Sequence, residues 1–282
     1  CAIDSMKVEA DEGIFIPNGA LNQLRRDGIS ALEEAVLSHY HRACQGDETE
    51  NANTVVKDSR NCIQDIPQCF TADVPAFEKL PSNLVQVQNR AQLSVILSYP
   101  FAQGIFLSHT CYGHKTMTEQ LAEDVKRIKA AGKKAYFVMP GIFRSTTSAF
   151  YREVIPALRN ISLDGYVVRN LEEIGFLREE MGDVCLIADH NLYTYNDTAK
   201  KTLRKWGITF DTVPYELNRT EILGRDLSDS LMCLYGYYQL MTTAGCVHRN
   251  AEGCDKKPTL HFLSARYHAQ FPVQNDCNEC MN

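Results

Sequence analysis

The chain has 282 residues, 44% of them hydrophobic, which is enough to bury a sizeable core in one large domain or in one domain with an appendage. Its formal net charge of -6 gives no general attraction to nucleic acid or to an anionic membrane surface, and only a local basic groove stays compatible with such a partner. No apolar run is long enough to cross a bilayer, and the start lacks the pattern of a signal peptide.

The cysteine content indicates the redox compartment. The chain contains 11 cysteines, an odd number, and some of them, such as Cys185 and Cys233, lie inside apolar, strand-like runs. Buried free thiols are common in cytosolic proteins, where disulfides are rare. The sequence therefore predicts a reducing, cytoplasmic environment and no disulfide framework.

The first part of the chain predicts two segments that precede the main domain. Residues 1–45 predict one or two strands and then a helix, and residues 46–82 are polar, contain three prolines and read as a linker or long excursion. The helix is predicted by apolar residues at helical spacing. These are Leu21, Leu24, Ile29, Leu32 and Val36.

A regular alternation of strands and helices begins at Leu84. About seven short apolar runs follow up to Met241, separated by amphipathic helical patterns such as "TEQLAEDVKRIKAAGKK". This alternation predicts an α/β fold with parallel strands, and we assign residues 83–245 to a TIM-type (β/α) barrel, complete or incomplete. The main alternative, a doubly wound open sheet, usually has a Gly-rich turn after its first strand, and none is present.

Polar residues at the ends of the predicted strands are candidates for catalysis, because barrels carry their chemistry at the carboxyl ends of strands. Asp189 and Glu216 follow consecutive strands and predict a carboxylate pair for acid/base work. The alternative is that each caps the turn that follows it. Arg144 suits an anionic substrate group, and its alternative is a surface arginine in a loop.

Other polar residues occupy the same strand ends. The predicted substrate-binding residues are Asn170, Asn191 and Tyr235, and three histidines are weaker candidates. The histidines are His109, His114 and His190. No serine or cysteine lies in a recognisable nucleophile motif.

Four cysteines are concentrated in residues 246–282. Cys277 and Cys280 form a C-x-x-C pair, and Cys246 and Cys254 flank a glycine-containing loop. Four thiolates suit tetrahedral zinc or an iron–sulfur cluster, with His248 or His268 as substitutes for one sulfur. Only one pair is as tight as a zinc ribbon requires, and a redox dithiol or no metal at all are the alternatives.

The remainder of this tail is polar and contains one weak helix candidate, "LHFLSARYHAQF". We therefore expect a shared metal centre, rather than hydrophobic burial, to hold the tail near the end of the last strand.

Several stretches together resemble the collagenase-like U32 peptidase family, in particular the C-terminal part of its longer members. They are "IPNGALNQLRRDGISAL", "ADHNLYTYND", "YELN", "YGYYQLMTTAGC" and "ARYHAQFPVQNDCNEC". The resemblance implies a barrel with a 4Fe–4S cluster on Cys246, Cys254, Cys277 and Cys280, with zinc as the alternative. The sequence departs from the family at Pro214, where members more often have a small hydroxyl residue.

The resemblance implies an enzyme. Family members are named for peptidase activity of unassigned mechanism, and others are linked to oxygen-independent hydroxylation of RNA bases or quinone precursors. The primary expectation is iron–sulfur-dependent RNA base modification, with a peptidase (hydrolase) and a non-catalytic, zinc-stapled binding domain as alternatives. The expected partners are RNA or a peptide and the upstream barrel half of a longer chain, with no membrane.

Overall fold

The structure is a computed structural model, and it describes residues 17–38 and 77–282. The chain divides into two compact units, Cys1–Asp65 and Ile66–Asn282. In the first unit, helix α1 spans Asn18–Ser38, where the spacing of apolar residues predicts it. Most of the predicted linker, and the residues before 17, lie outside the described residues. The four-segment division at 45, 82 and 245 stays a prediction.

The second unit is built on one parallel sheet. Its strands are β1 (Leu84–Val87), β2 (Gly104–Ser108), β3 (Lys134–Val138), β4 (Gly165–Val168), β5 (Leu186–Ala188), β6 (Phe210–Thr212) and β7 (Ser230–Leu231). The helices between them are α2 (Arg90–Ile96), α3 (Met117–Ala130), α4 (Ser145–Leu158), α5 (Leu171–Met181), α6 (Asp197–Lys205) and α7 (Arg219–Leu223).

Each strand pairs in parallel with the next strand along the chain, so the spatial order is β1 to β7 without a reversal. A doubly wound sheet reverses its strand order at a switch point, and this sheet has none. The sheet is curled like part of a barrel. The prediction of an α/β fold with seven parallel strands is confirmed, and the sheet is an incomplete barrel.

Strand side chains alternate between two apolar layers, because neighbouring residues of a strand point to opposite faces. The layer that includes the helix side chains contains, from the strands, Ile105, Leu107, Ala135, Phe137, Tyr166, Val168, Leu186 and Ala188. The smaller opposite layer contains Phe106, Tyr136, Val138, Val167, Cys185, Ile187 and Phe210. Burial on both faces explains why the strands read as continuous apolar runs.

Asparagines start four of the helices that follow strands. In each case the side-chain oxygen accepts a hydrogen bond from a backbone N–H of the first turn, which would otherwise lack a partner. These residues are Asn89 before α2, Asn170 before α5, Asn196 before α6 and Asn218 before α7. The caps set where each helix leaves the carboxyl end of its strand.

The C-terminal tail forms a short helix and a hairpin. Helix α8 spans Val247–Ala251, and strands β8 (Leu260–Ser264) and β9 (Gln270–Gln274) pair antiparallel. The helix predicted in "LHFLSARYHAQF" is therefore wrong. The two runs satisfy each other's backbone groups across a turn at residues 266–268, where His268 has a φ of 60°. Both strands are largely exposed, so no buried face imposes an alternating apolar pattern on them.

No helix in the described ranges is both long and apolar enough to span a membrane.

Candidate functional site

A polar cluster lies at the carboxyl ends of β4, β5 and β6. Asp189 follows β5, and its Oδ1 lies 2.9 Å from the Nδ1 of His190. Arg169 follows β4, and its Nε lies 3.2 Å from Oδ2 of Asp189. Tyr215, beyond β6, stacks on the His190 ring with centroids 4.0 Å apart. The parallel order of the strands brings these four side chains together.

Asp189 is a carboxylate at neutral pH. Burial alone would raise its pKa, but the hydrogen bonds from His190 and the charge of Arg169 hold the pKa below the usual aspartate value. The carboxylate can only accept hydrogen bonds, so the Nδ1 of His190 carries a proton, and in a neutral imidazole the free lone pair then lies on Nε2. The pair therefore has the arrangement of an oriented base.

The guanidinium of Arg169 is held in place on three sides. Its Nη2 donates to Oε1 of Gln239 at 2.9 Å, and its Nε faces Asp189. The third side is the backbone at Gly141, where an added Cβ would lie 3.1 Å from Nη1 of Arg169. A Cβ at residue 141 would require the guanidinium to shift by a few tenths of an ångström, so the glycine allows this close approach.

A buried carboxyl group is hydrogen-bonded to the backbone of Arg169, a member of the cluster. Glu173 is fully buried and accepts hydrogen bonds from the backbone N–H of Arg169 and from the Asn170 side chain. Burial raises the pKa of Glu173 to about 8, because the low-dielectric interior disfavours the charged form. Such a strongly shifted group beside an ion pair is typical of a functional site, although structural networks show it as well.

Burial also raises the pKa of Tyr215, and nearby Cys233 and Asp189 raise it further. The phenol therefore stays protonated at neutral pH and remains a hydrogen-bond donor.

The two members of the predicted acid/base pair, Asp189 and Glu216, have different neighbours. Asp189 is part of the polar cluster, whereas Glu216 is exposed and lies near Tyr195, whose pKa is raised by burial first and by the charge of Glu216 second. A cavity of about 630 Å³ is lined by neighbours of Glu216 such as Tyr195 and Leu217. A shared acid/base role of Asp189 and Glu216 stays a prediction.

The predicted substrate-binding residues have different environments. The Asn170 side chain caps α5 and donates to Glu173, so its polar atoms are engaged. Asn191 is half-buried in the 3-10 turn His190–Leu192, and Tyr235 is 91% exposed. Their roles in binding stay predictions.

Two members of the polar cluster were not among the strongest sequence candidates. Arg169 follows a predicted strand but is not among the predicted site residues, and His190 is only a weaker candidate than Asp189. The signal that points to both is their place at adjacent strand ends, one of them directly after an aspartate.

The C-terminal residues 276–281, which we call the C-terminal segment, dock at the carboxyl ends of β2 and β3. Oδ2 of Asp276 lies 2.8 Å from Nε2 of His109, directly after β2. Glu279 accepts a hydrogen bond from Thr147 of α4 and lies 3.3 Å from Nε2 of His114. Polar contacts of this segment therefore hold the end of the tail at these strand ends, whereas the prediction placed it near the end of the last strand.

Arg144, a predicted anion clamp, contacts the same segment. It is exposed at the start of α4, and its Nη1 donates to the backbone oxygen of Glu279 at 3.5 Å. In this structure the guanidinium contacts the chain's own C-terminal segment. An additional contact to a substrate anion stays a prediction.

Three of the four tail cysteines share a neighbourhood. Burial is the first cause that raises the pKa of Cys277, and the proximity of Cys246 and Cys254 raises it further. Cys246 caps α8 through a contact of its Sγ with the Arg249 backbone N–H at 3.4 Å. Cys254 and Cys280 are exposed. The donor chemistry therefore fits a soft metal centre that draws these thiols together.

Within residues 17–38 and 77–282, no three His, Cys, Asp or Glu side chains are already arranged as a group able to hold a metal ion. The thiols are neighbours without forming a coordination sphere. The assignment of the four cysteines as metal ligands stays a prediction.

Comparison with known proteins adds little. No protein-family model matches the sequence, and no curated protein matches it. Among solved structures, MenC from Desulfotalea psychrophila LSv54 is similar over 56% of this chain, with 10% sequence identity and a TM-score of 0.35. The match spans about half of that chain, 48% of its length.

Proposed function

We propose that this chain is the C-terminal part of a U32-type enzyme, with a TIM-type incomplete barrel and a cysteine-rich tail that carries a 4Fe–4S cluster. Cys246, Cys254, Cys277 and Cys280 would hold the cluster, with zinc as the alternative. The observation that carries the proposal is that two backbone hydrogen bonds between Asn282 and Thr243 bring the C-x-x-C pair to the stretch of chain next to Cys246. Thiolates are the ligands that iron–sulfur clusters and structural zinc both prefer.

The proposed reaction is oxygen-independent hydroxylation of an RNA base in the cytoplasm. The upstream barrel half of a longer chain would be the partner of this chain in the reaction. The cluster, when bound, supplies one-electron redox chemistry. The chain's own residues bind the substrate and move protons. Nε2 of His190 is the proton acceptor, Asp189 orients its ring, and Arg169 keeps the Asp189 carboxylate ionised.

The test is metal analysis of anaerobically purified and reconstituted protein. About four iron and four sulfide per chain, with broad visible absorption, are expected for the cluster. Replacing Cys254 with Ser should lower the iron content, whereas Cys233→Ser, at a half-buried thiol outside the tail, should not. Zinc without iron would favour the zinc-stapled binding domain, and no metal at all would refute the proposal.

A second candidate function is peptide hydrolysis, which the Asp189–His190 pair favours. Nε2 of His190 would take a proton from a water molecule, whose oxygen then attacks a peptide carbonyl carbon. The C–N bond of the tetrahedral intermediate then breaks, and the leaving amine takes the proton back from Nε2. The test is cleavage of gelatin or casein by the wild type and by His190→Gln. Cleavage that His190→Gln abolishes without unfolding supports this candidate, and no cleavage by the wild type eliminates it.

A further inference from the structure

The C-terminal segment alternates two carboxylate residues with two cysteines, in the sequence "DCNEC". Asp276 directly precedes Cys277, and Glu279 directly precedes Cys280. The thiols of this stretch are the ones proposed above as ligands. The carboxylates have other partners, which lie in the loops and helices that follow β2 and β3.

The Glu279 side chain is buried against polar partners of the α/β unit. It is only 4% exposed, and its oxygens contact the hydroxyl of Thr147 and the Nε2 of His114. The His114 ring is itself fixed by stacking on Phe150, with centroids 3.7 Å apart. A buried carboxylate is costly unless it is hydrogen-bonded, so these contacts favour one docked position of the segment over others.

The two carboxylate oxygens of Asp276 have different partners. One oxygen faces His109 at 2.8 Å, and the other accepts the backbone N–H groups of Asn278 and Glu279 at 3.0 and 3.3 Å. The first contact attaches the segment to the carboxyl end of β2. The second folds residues 276–279 into a turn, because an aspartate side chain can mimic a backbone acceptor.

The end of the chain is tied to the residues before Cys246. Asn282 and Thr243 exchange two backbone hydrogen bonds, of 3.0 and 2.9 Å, and the Asn282 side chain donates to the Gly245 oxygen at 2.8 Å. Within the turn, Asp276 and Met281 exchange two more, of 2.7 and 3.0 Å. The backbone thus connects the C-x-x-C pair to the first tail cysteine independently of any metal.

We propose that Asp276 and Glu279 are positioning residues, which anchor the C-x-x-C pair of residues 277–280 at the carboxyl ends of β2 and β3. A metal centre on these thiols is thereby placed beside the mouth of the sheet rather than on a free tail. The metal part of this inference rests on the proposed function. The anchoring part does not, because it concerns contacts present in the metal-free chain.

The experiment compares Asp276→Asn and Glu279→Gln with the matched control Glu252→Gln. Glu252 is also a tail glutamate beside a histidine, His248 at 3.4 Å, but its side chain is 65% exposed. Hydrogen exchange of the metal-free proteins is measured by mass spectrometry on the C-terminal peptide. Loss of a charge-assisted hydrogen bond should speed exchange of the Asp276 and Met281 amides about ten- to a hundredfold.

The second readout is an anaerobic titration with cobalt(II) alone, which is monitored through the cobalt–thiolate absorption. We expect the two anchoring variants to bind cobalt(II) about tenfold more weakly than wild type and Glu252→Gln to bind it equally well. Unchanged exchange in both anchoring variants overturns the anchoring part of the inference, and faster exchange with unchanged cobalt(II) affinity overturns the metal part. Wild-type protein that takes up neither iron nor cobalt(II) refutes the proposed function, while the exchange data still decide the anchoring.

Unchanged exchange of the β3 and β4 amides shows in each variant that the sheet is folded. A variant that loses this protection is replaced by Thr147→Val, which removes the hydroxyl partner of Glu279 and leaves the tail sequence intact.

Discussion

Replacing Asp211 with Asn should strongly destabilise the α/β unit. Asp211 lies in β6 and neutralises two cations whose side chains are almost fully buried, Lys200 at 3% exposure and Arg225 at 2%. Its oxygens also accept the hydroxyl hydrogens of Thr194 at 2.6 Å and Ser230 at 2.7 Å. The substitution keeps the shape of the side chain and removes the charge that both cations face.

The expected loss in the free energy of unfolding is about 3 kcal/mol, near the lower end of the 3–5 kcal/mol typical when one partner of a buried ion pair is removed. The lower end applies because Lys200 also donates to the backbone oxygen of Asp226 at 3.0 Å and to Ser230 at 2.8 Å, which partly replace water around the ammonium group. For a unit of this size, that loss corresponds to a shift of about 1–2 M in the urea midpoint.

The assay is urea unfolding followed by the fluorescence of Trp206, the only tryptophan in the chain, which ends α6 and packs against the core. The matched control is Asp229→Asn. Asp229 is partly exposed and lies 3.5 Å from Arg204, so its loss should cost less than about 1 kcal/mol. Its φ of 60° is tolerated by asparagine. Equal destabilisation by the two substitutions would refute the reasoning.

The pH dependence gives a second check on Asp211. Burial alone would raise its pKa, but hydrogen bonds from Thr194, Ser230 and Arg225 and the charge of Lys200 lower it below the usual value of 3.8. A lowered carboxyl pKa stabilises the fold above the unfolded-state pKa, and that stability is lost as the pH falls through the folded-state pKa. The Asn variant should therefore lose less stability than wild type on acidification below about pH 4.

Two further predictions concern the support of the polar cluster. Burial raises the pKa of Glu173 from 4.5 to about 8, so the folded chain holds a proton that the unfolded chain releases, and the free energy of unfolding should fall as the pH rises through this interval. Glu173→Gln should flatten that dependence in urea unfolding between about pH 5 and pH 9; an unchanged slope would contradict it. Asn170→Ala should cost about 1 kcal/mol by removing the α5 cap, measured in the same way, and Asn170→Ser should recover most of the loss. Equal stability of wild type and Asn170→Ala would show that the cap contributes nothing.

The sequence alone predicts the α/β framework because its signals are local. Apolar runs such as "GIFLS" and "AYFVMP", separated by helices with one apolar face, specify parallel strands buried on both sides. The residues after each run are then placed at one edge of the sheet by topology alone. This is why Asp189 could be selected as a site residue before its neighbours were known.

Tertiary structure decided which of these residues meet, and how the tail is held. The contact of Asp189 with Arg169 depends on the register of β4 and β5, which no local pattern encodes. The hairpin of β8 and β9 likewise takes the place of the predicted helix, because both strands are largely exposed and no buried face imposes an alternating apolar pattern on them. The tail cysteines were conspicuous in the sequence, but the carboxylates beside them make the contacts that dock it. Their partners are His109, His114 and Thr147, more than a hundred residues earlier in the chain, and only the folded sheet brings them within reach.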